Sequence, residues 1–426
     1  MSSNQSEKGE ATFALCILRP KGLAKGLRFQ KWIDKLHICC KNGVMYSRSV
    51  NYQNNSFFLF GPRGVGKSSW VQKEFKGSLQ IDLLHAQTFN ELLANPSRLE
   101  EKIIDKNPAW IVIDEIQKIP QLLDEVHRLI EKRKLKFVLT GSNARKLRNQ
   151  GVNLLAGRAF NQQMFPLTAR ELGNDFQFEK SIRFGHLPMA IGNKNPADYL
   201  SSYLQTYLKE EIQQEGLTRN ISAFSRFLES ASFSQGQYLN ISKVAQDCSV
   251  ERKVVEQYFI ILEDLLIAQR LPVFSKKAKR LMTKHPKFFF FDAGVFQTIR
   301  PKGPLDSIEE IEGAAWETLV YQEIRAENHY QKWGFDLFCW QVSKGPDVDL
   351  VLYGNQGIKA LEIKRTDRIR GGELDGLRAF KKDYPMANCF FIYGGHEKRI
   401  IDDILVLPIV DFLKNMTPYL VKDLSQ

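Results

Sequence analysis

The chain has 426 residues, of which 43% are hydrophobic and 25% charged, and carries a net charge of +12. That length implies two to four domains, and that composition is an ordinary globular one, which sets aside disordered, fibrous and membrane-spanning classes. The positive balance favours an anionic partner such as nucleic acid.

Residues 1–54 read as a basic arm, with Lys21, Lys25, Arg28 and Lys31, leading to a helix near Phe29–Cys39. The longest apolar run there, Phe13 to Leu18, is too short for a signal or membrane segment and follows Glu7 and Glu10, so no membrane partner is expected. Cys16, Cys39, Cys40, Cys248, Cys339 and Cys389 show no C-x-x-C spacing. Neither a zinc site nor a disulfide framework is implied, and a reducing cytoplasm is expected.

From residue 55 the pattern alternates strand and helix, with strands expected at 57–60, 79–82, 111–114, 137–140 and 159–165. This is the signature of a parallel α/β sheet, here over 55–172. The first strand runs into Gly61-Pro62-Arg63-Gly64-Val65-Gly66-Lys67-Ser68-Ser69. Glycines at this spacing let backbone N–H groups turn onto phosphates, Lys67 reaches the β/γ-phosphates of ATP, and the Ser68 hydroxyl ligates Mg²⁺. A helix from Ser68 to about Phe75 aims its positive end at the same anion. The apolar run Trp110–Ile113 ends in Asp114 and Glu115. Asp114 is placed for the Mg²⁺ water shell and Glu115 for the attacking water. That pair suits hydrolysis better than transfer to a second acceptor. Asn143, after the next strand, is expected beside the γ-phosphate. Arg158 precedes the last strand, where it either stabilises the γ-phosphoryl transition state or forms a surface salt bridge.

Helical periodicity then dominates. Residues 173–219 read as a lid or linker, with Tyr199, Tyr203, Tyr207 and Leu208 on one face. Residues 220–300 read as a winged helix-turn-helix: a helix near 222–233, then Leu239–Ala245, a turn at Asp247–Ser249 and a helix at 251–266, followed by strands at 269–274 and 287–291. In a DNA-binding role Arg252 and Lys253 approach the groove, while Lys276, Lys277, Lys279, Arg280, Lys284 and Lys287 line the wing. The alternative is a winged helix used only for protein contacts.

Residues 305–426 carry a second constellation. Strand Pro346–Tyr353 and return strand Ile358–Lys364 form a hairpin in which period-two geometry lets Asp349 and Glu362 converge on a divalent cation. Lys364 is placed to act catalytically by positioning a water, and Glu317, on a preceding helix, is the third carboxylate. An all-oxygen donor set suits Mg²⁺ or Mn²⁺ rather than zinc. A fold retained purely as a binding platform is the alternative to cleavage.

Together these residues resemble the prokaryotic AAA+-type ATP-binding proteins that carry a C-terminal PD-(D/E)xK nuclease-like domain of unknown function. The resemblance spans about Ser56 to Val410. It rests on G-P-R-G-V-G-K-S at 61–68, I-D-E-I-Q-K at 113–118, L-T-G-S-N at 139–143, L-A-G-R at 155–158, P-L-T-A-R-E-L at 166–172, F-D-A-G at 291–294, V-D-L at 348–350 and L-E-I-K at 361–364. It implies ATP binding and hydrolysis by an additional-strand ATPase core, with the winged helix and nuclease-like fold downstream. Nucleic acid, a protein partner and a homo-oligomer are the partners it leaves open. The chain departs from the pattern at Gly185-His186-Leu187-Pro188-Met189, where that family has G-G-aromatic-P and an acid.

Overall fold

The computed structural model describes residues 46–104, 106–142, 158–208, 220–304 and 306–421. The expected N-terminal helix, Asn143 and most of L-A-G-R lie outside those residues.

Five parallel strands form the first sheet: β1 (Phe57–Phe60), β2 (Leu79–Asp82), β3 (Ile111–Asp114), β4 (Phe137–Gly141) and β5 (Phe160–Gln163). Their order is β2-β3-β4-β1-β5, so β4 separates the strand before the glycine-rich loop from the strand that ends in acids. The central strands are apolar at successive positions because both sheet faces are covered. Phe57, Leu59, Val112 and Val138 enter one apolar cluster, and Phe58, Phe60, Ile111, Ile113, Phe137 and Leu139 enter another. The first cluster includes Trp70 and Val71 of helix α1 (Lys67–Glu74); the second includes Leu122, Val126 and Leu129 of helix α2 (Leu122–Arg133).

The lid helix expected from Ala197 is regular only over Pro196–Ser202, then widens to a π-helix over Tyr203–Leu208. Helices α3 (Ile221–Ser232), α4 (Ile241–Asp247) and α5 (Arg252–Asp264) follow, each of the first two begun by an asparagine whose side chain caps the first turn. Strands β6 (Ala268–Leu271) and β7 (Lys287–Phe290) pair antiparallel. The first of these is shorter than the expected 269–274. Its continuation leaves β7 and joins the next sheet, where Phe274 N–H donates to Cys339 O at 2.7 Å. The cause is the Phe274 ring, which is buried among Trp340, Phe380 and Tyr384.

Helix α6 (Ile308–Tyr330) is 23 residues, about 35 Å, long. The second sheet comprises β8 (Phe335–Gln341), β9 (Asp347–Gly354), β10 (Gly357–Lys364), β11 (Asn388–Tyr393), β12 (Arg399–Ile401) and β13 (Ile404–Pro408), in the order β12-β13-β11-β10-β9-β8. Hairpin β9–β10 is antiparallel, whereas β10, β11 and β13 run parallel. Trp316, Leu319 and Ile324 of α6 share a core with Leu361, Ile363 and Ile392 on one face. Leu377 and Phe380 of α7 (Asp375–Asp383) share one with Val351, Ala360 and Phe391 on the other. Among the described residues no helix is long and apolar enough to cross a membrane.

Candidate functional site

The glycine-rich loop joins β1 to α1. Gly64 and Gly66 have φ of 87° and 92°, a left-handed backbone that side chains resist. Gly61 is there for a different reason from the expected one: its φ is not positive, and a Cβ would collide with the Met164 carbonyl where β5 ends. Lys67 is buried, and its Nζ donates to Gly61 O at 2.7 Å and Pro62 O at 3.1 Å. Ser68 Oγ donates to Asp114 Oδ2 at 2.9 Å, so the two expected Mg²⁺ ligands, 46 residues apart, meet directly.

Three polar residues that sequence reasoning passed over organise the acids. Thr140 Oγ1 donates to Asp114 Oδ1, and Glu115 N–H donates to the same hydroxyl at 3.3 Å. Glu115 has φ of 60°, which turns its side chain out of the strand direction. Gln117 Nε2 donates to the Glu115 carboxylate and to Ser142 Oγ at 3.2 Å. The signal for Gln117 was present in I-D-E-I-Q-K, but only its burial shows that the amide faces inward. Arg158 forms an exposed ion pair with Glu131 of α2.

A second set of residues ties the loop to the rest of the chain. Arg48 donates to Val65 O at 2.7 Å and Phe165 O at 2.6 Å, pairs with Glu171 at 3.2 Å, and lies 3.3 Å from Tyr330 Oη. Burial opposes its charge, yet Glu171 and Tyr330 hold its pKa above the ordinary value. Tyr330 Oη in turn accepts from Phe165 N–H at 3.0 Å, and His329 Nε2 from Gln163 N–H at 3.0 Å. Glu323, one helical face along, accepts from Ala169 N–H and pairs with buried His186 at 2.9 Å. Burial opposes the His186 charge, but Glu323 and Asp292 outweigh it and raise the pKa. His186 therefore serves as an internal link, while Leu187 and Pro188 beside it face Gly64 and Gly66. One helix, α6, thus holds the end of β5 with two of its side chains and the start of the helix Ala169–Leu172 with a third.

The same helix carries Glu317 to the C-terminal constellation. The β9–β10 register, Leu350 opposite Leu361, sets Asp349 opposite Glu362 on one face. Glu317, Asp349 and Glu362 gather around two lysines. Lys364 Nζ lies 2.6 Å from Glu362 Oε1 and 3.8 Å from Asp349 Oδ2. Lys287 Nζ lies 2.7 Å from Asp349 Oδ1 and 3.6 Å from Glu317 Oε2. The other Asp349 oxygen accepts from Ile363 N–H at 2.9 Å. Burial, reinforced by the Asp349 charge, pushes Glu362 up to about 8 and Glu317 up to about 7. Burial acts on Asp349 too, but Lys287 and Lys364 hold it below the ordinary carboxylate value. Among the described residues no group of three or more His, Cys, Asp or Glu side chains is arranged to hold a metal ion.

Lys287 had been expected on a solvent-facing wing. It is 3% exposed, because β7 turns it inward onto Asp349. Arg280 pairs with Asp383 at 3.0 Å, and Lys276 Nζ sits 4.0 Å from the centre of the Tyr353 ring. Lys277, Lys279, Lys284, Arg252 and Lys253 are exposed.

With this geometry in view, residues 53–173 match a family described as an AAA domain. This region is an AAA-type P-loop domain, and its five-stranded parallel sheet fits that class. Residues 175–306 match a domain of unknown function, DUF8612, and 312–412 another, DUF4143. The chain is 24% identical over 358 residues to an uncharacterized protein of Mycobacterium tuberculosis, covering 82% of this chain and 78% of that one. An uncharacterized protein of Haemophilus influenzae is 20% identical over 279 residues, covering 58% and 70%. A crystallised Vibrio cholerae protein aligns over 86% of this chain and 97% of its own, at 11% identity and a TM-score of 0.21, too low to inform the fold.

Proposed function

We propose that the chain is a Mg²⁺-dependent ATPase that couples nucleotide turnover to nucleic-acid engagement by its downstream units. The observation that carries this reading is the Ser68–Asp114 contact at 2.9 Å, with Glu115 next in sequence and held by Gln117. Ser68 and Asp114 would hold Mg²⁺, which when bound supplies positive charge to the β/γ-phosphates. Lys67 exchanges its loop carbonyls for the γ-phosphate. Glu115 takes a proton from the attacking water as its oxygen bonds to the γ-phosphorus and the bond to the bridging oxygen breaks. Helices α3 to α5 with the β6–β7 pair support a winged-helix reading. Exposed Arg252, Lys253, Lys277 and Lys279 supply phosphate contacts, which strengthen as salt falls. Phosphate release from ATP, with and without DNA, tests the reading. Release no greater than that of Lys67→Ala would remove the enzymatic assignment. Arg158 acts on a neighbouring subunit's γ-phosphate if mixing Arg158→Ala with Glu115→Gln chains restores turnover.

A second reading is an ATP-binding adaptor for a protein partner, with a catalytically silent nuclease-like domain. One observation favours it: a lysine ammonium, Lys287, sits on Asp349 and Glu317, two of the three acids expected to share a divalent cation. Tight ATP binding with no DNA shift at low salt, and no cleavage with Mn²⁺, would select this reading.

A further inference from the structure

A cleft of about 530 Å³ lies apart from both sites, between the edge of β5 that faces away from β1 and the C-terminal end of α6. It is within the ~300–1,000 Å³ range of small-molecule sites. Among the described residues, strand β5 pairs with β1 alone. Phe160 N–H and Met164 N–H bond to Ser56 O and Phe60 O, so the alternate amide of Asn161 points away from β1, on the cleft side. The twelve lining residues include Arg325, His329 and Lys332 and not one Asp or Glu.

Arg325 is the informative member. It is half-buried, its guanidinium packs 5.2 Å from the centre of the Phe165 ring, and among the described residues it makes no ion pair or hydrogen bond. Burial lowers its pKa and only the Tyr321 phenol opposes that. His329 is lowered by burial and then by the charges of Arg325 and Lys332. Three basic groups therefore face one another with no counter-ion among the described residues. An arginine so placed suits a phosphate, whose oxygens match the guanidinium fork. At the rim Phe160 is 45% exposed on an edge strand, a flat apolar surface of the kind on which a base stacks.

We propose that this cleft binds a nucleotide unit, its phosphate held by Arg325 and Lys332 and its base against Phe160, separately from the glycine-rich loop. The ligand is either a free nucleotide or one residue of a single strand; the chemistry is shared. The site does not depend on ATP hydrolysis.

The Lys67→Ala chain, which removes the competing phosphate site, is titrated with AMP, inorganic pyrophosphate and a labelled short oligothymidine. Arg325→Gln is expected to weaken binding roughly tenfold or more, as loss of charge-assisted hydrogen bonds does. Lys332→Asn and Phe160→Ala are expected to weaken it less, and Phe160→Ala to spare pyrophosphate. Bound AMP should raise the pH at which the His329 ring titrates by NMR, and Arg325→Lys should retain part of that shift. Tighter AMP than oligothymidine identifies a free nucleotide, and the reverse a strand. The proposal is overturned if no probe binds, or if all three variants keep their affinities. Should Arg325→Gln fail to fold, the exposed Lys332 and Phe160 variants decide alone.

Discussion

Lys287 and Asp349 stand 62 residues apart on different sheets, yet the ammonium of one lies 2.7 Å from a carboxylate oxygen of the other, both nearly sealed from solvent. The contact adds a charge pair to the apolar core that Leu271 and Phe289 of the β6–β7 pair share with Leu350 and Leu361 of the β9–β10 hairpin. Removing one partner of such a pair leaves a buried charge unmatched, at a cost of about 3–5 kcal/mol. Lys287→Met should lose that much by urea denaturation. Lys287→Met with Asp349→Asn should recover part of it; equal losses in single and double variants would deny the pairing. Mn²⁺ that stabilises Lys287→Met but not the wild type would show that the lysine excludes the ion.

Stability should also fall with rising pH. Glu362 and Glu317 are pushed up to about 8 and about 7 from an ordinary 4.5. A carboxyl whose pKa is higher in the folded state holds its proton more tightly there. Its contribution is complete below about 4.5 and is lost as pH rises through 7 to 8. Glu362→Gln, which cannot ionise, should flatten the decline between pH 5 and pH 9. A wild-type profile level across that window would contradict the burial of the pair.

At the loop, binding and chemistry should separate. Glu115→Gln should keep ATP affinity and lose about 10²–10⁴-fold in turnover, since Ser68 and Asp114 remain. Gln117→Ala should lower kcat by a smaller factor at unchanged affinity, because its amide only orients Glu115. Lys67→Ala should weaken binding itself. Filter binding alongside phosphate release distinguishes the three, and equal loss of affinity in all would remove Glu115 from the chemical step.

Arg48 should be intolerant of lysine. Its guanidinium meets Val65 O, Phe165 O, Glu171 and Tyr330 from one plane, which a single ammonium cannot match. Arg48→Lys is expected to lower both thermal stability and ATP affinity. Loss of stability with affinity intact would make the residue a brace for Tyr330 with no hold on the loop.

Much of this was legible beforehand. The five strands of the first sheet begin within a residue of their expected starts, and β1, β3 and β4 were announced by the apolar runs that strands buried on both faces leave. The loop and its acids were legible because Gly61 to Ser68 act as a local unit. Arg48 and Lys287 were not. Arg48 is a lone cation in an unremarkable stretch and Lys287 ends a run of basic residues, and their partners lie up to 282 residues away, so nothing in local periodicity reports their burial. His186 appeared as an irregularity in a loop pattern, although its partner Glu323 comes from a helix whose face is set by tertiary packing.

Phe57 and Leu59 of β1 share one apolar cluster with Phe224, Phe227 and Phe259 of the helical unit and with Tyr330 of α6. The nucleotide-binding sheet therefore has no boundary at which it can be cut free. A fragment ending at Leu172 would keep the α1 cover but expose the rest of that cluster, and it should aggregate where the whole chain folds. The downstream units are not cargo attached to an autonomous domain. They complete its interior, so evolution could exchange them only together with the face they cover.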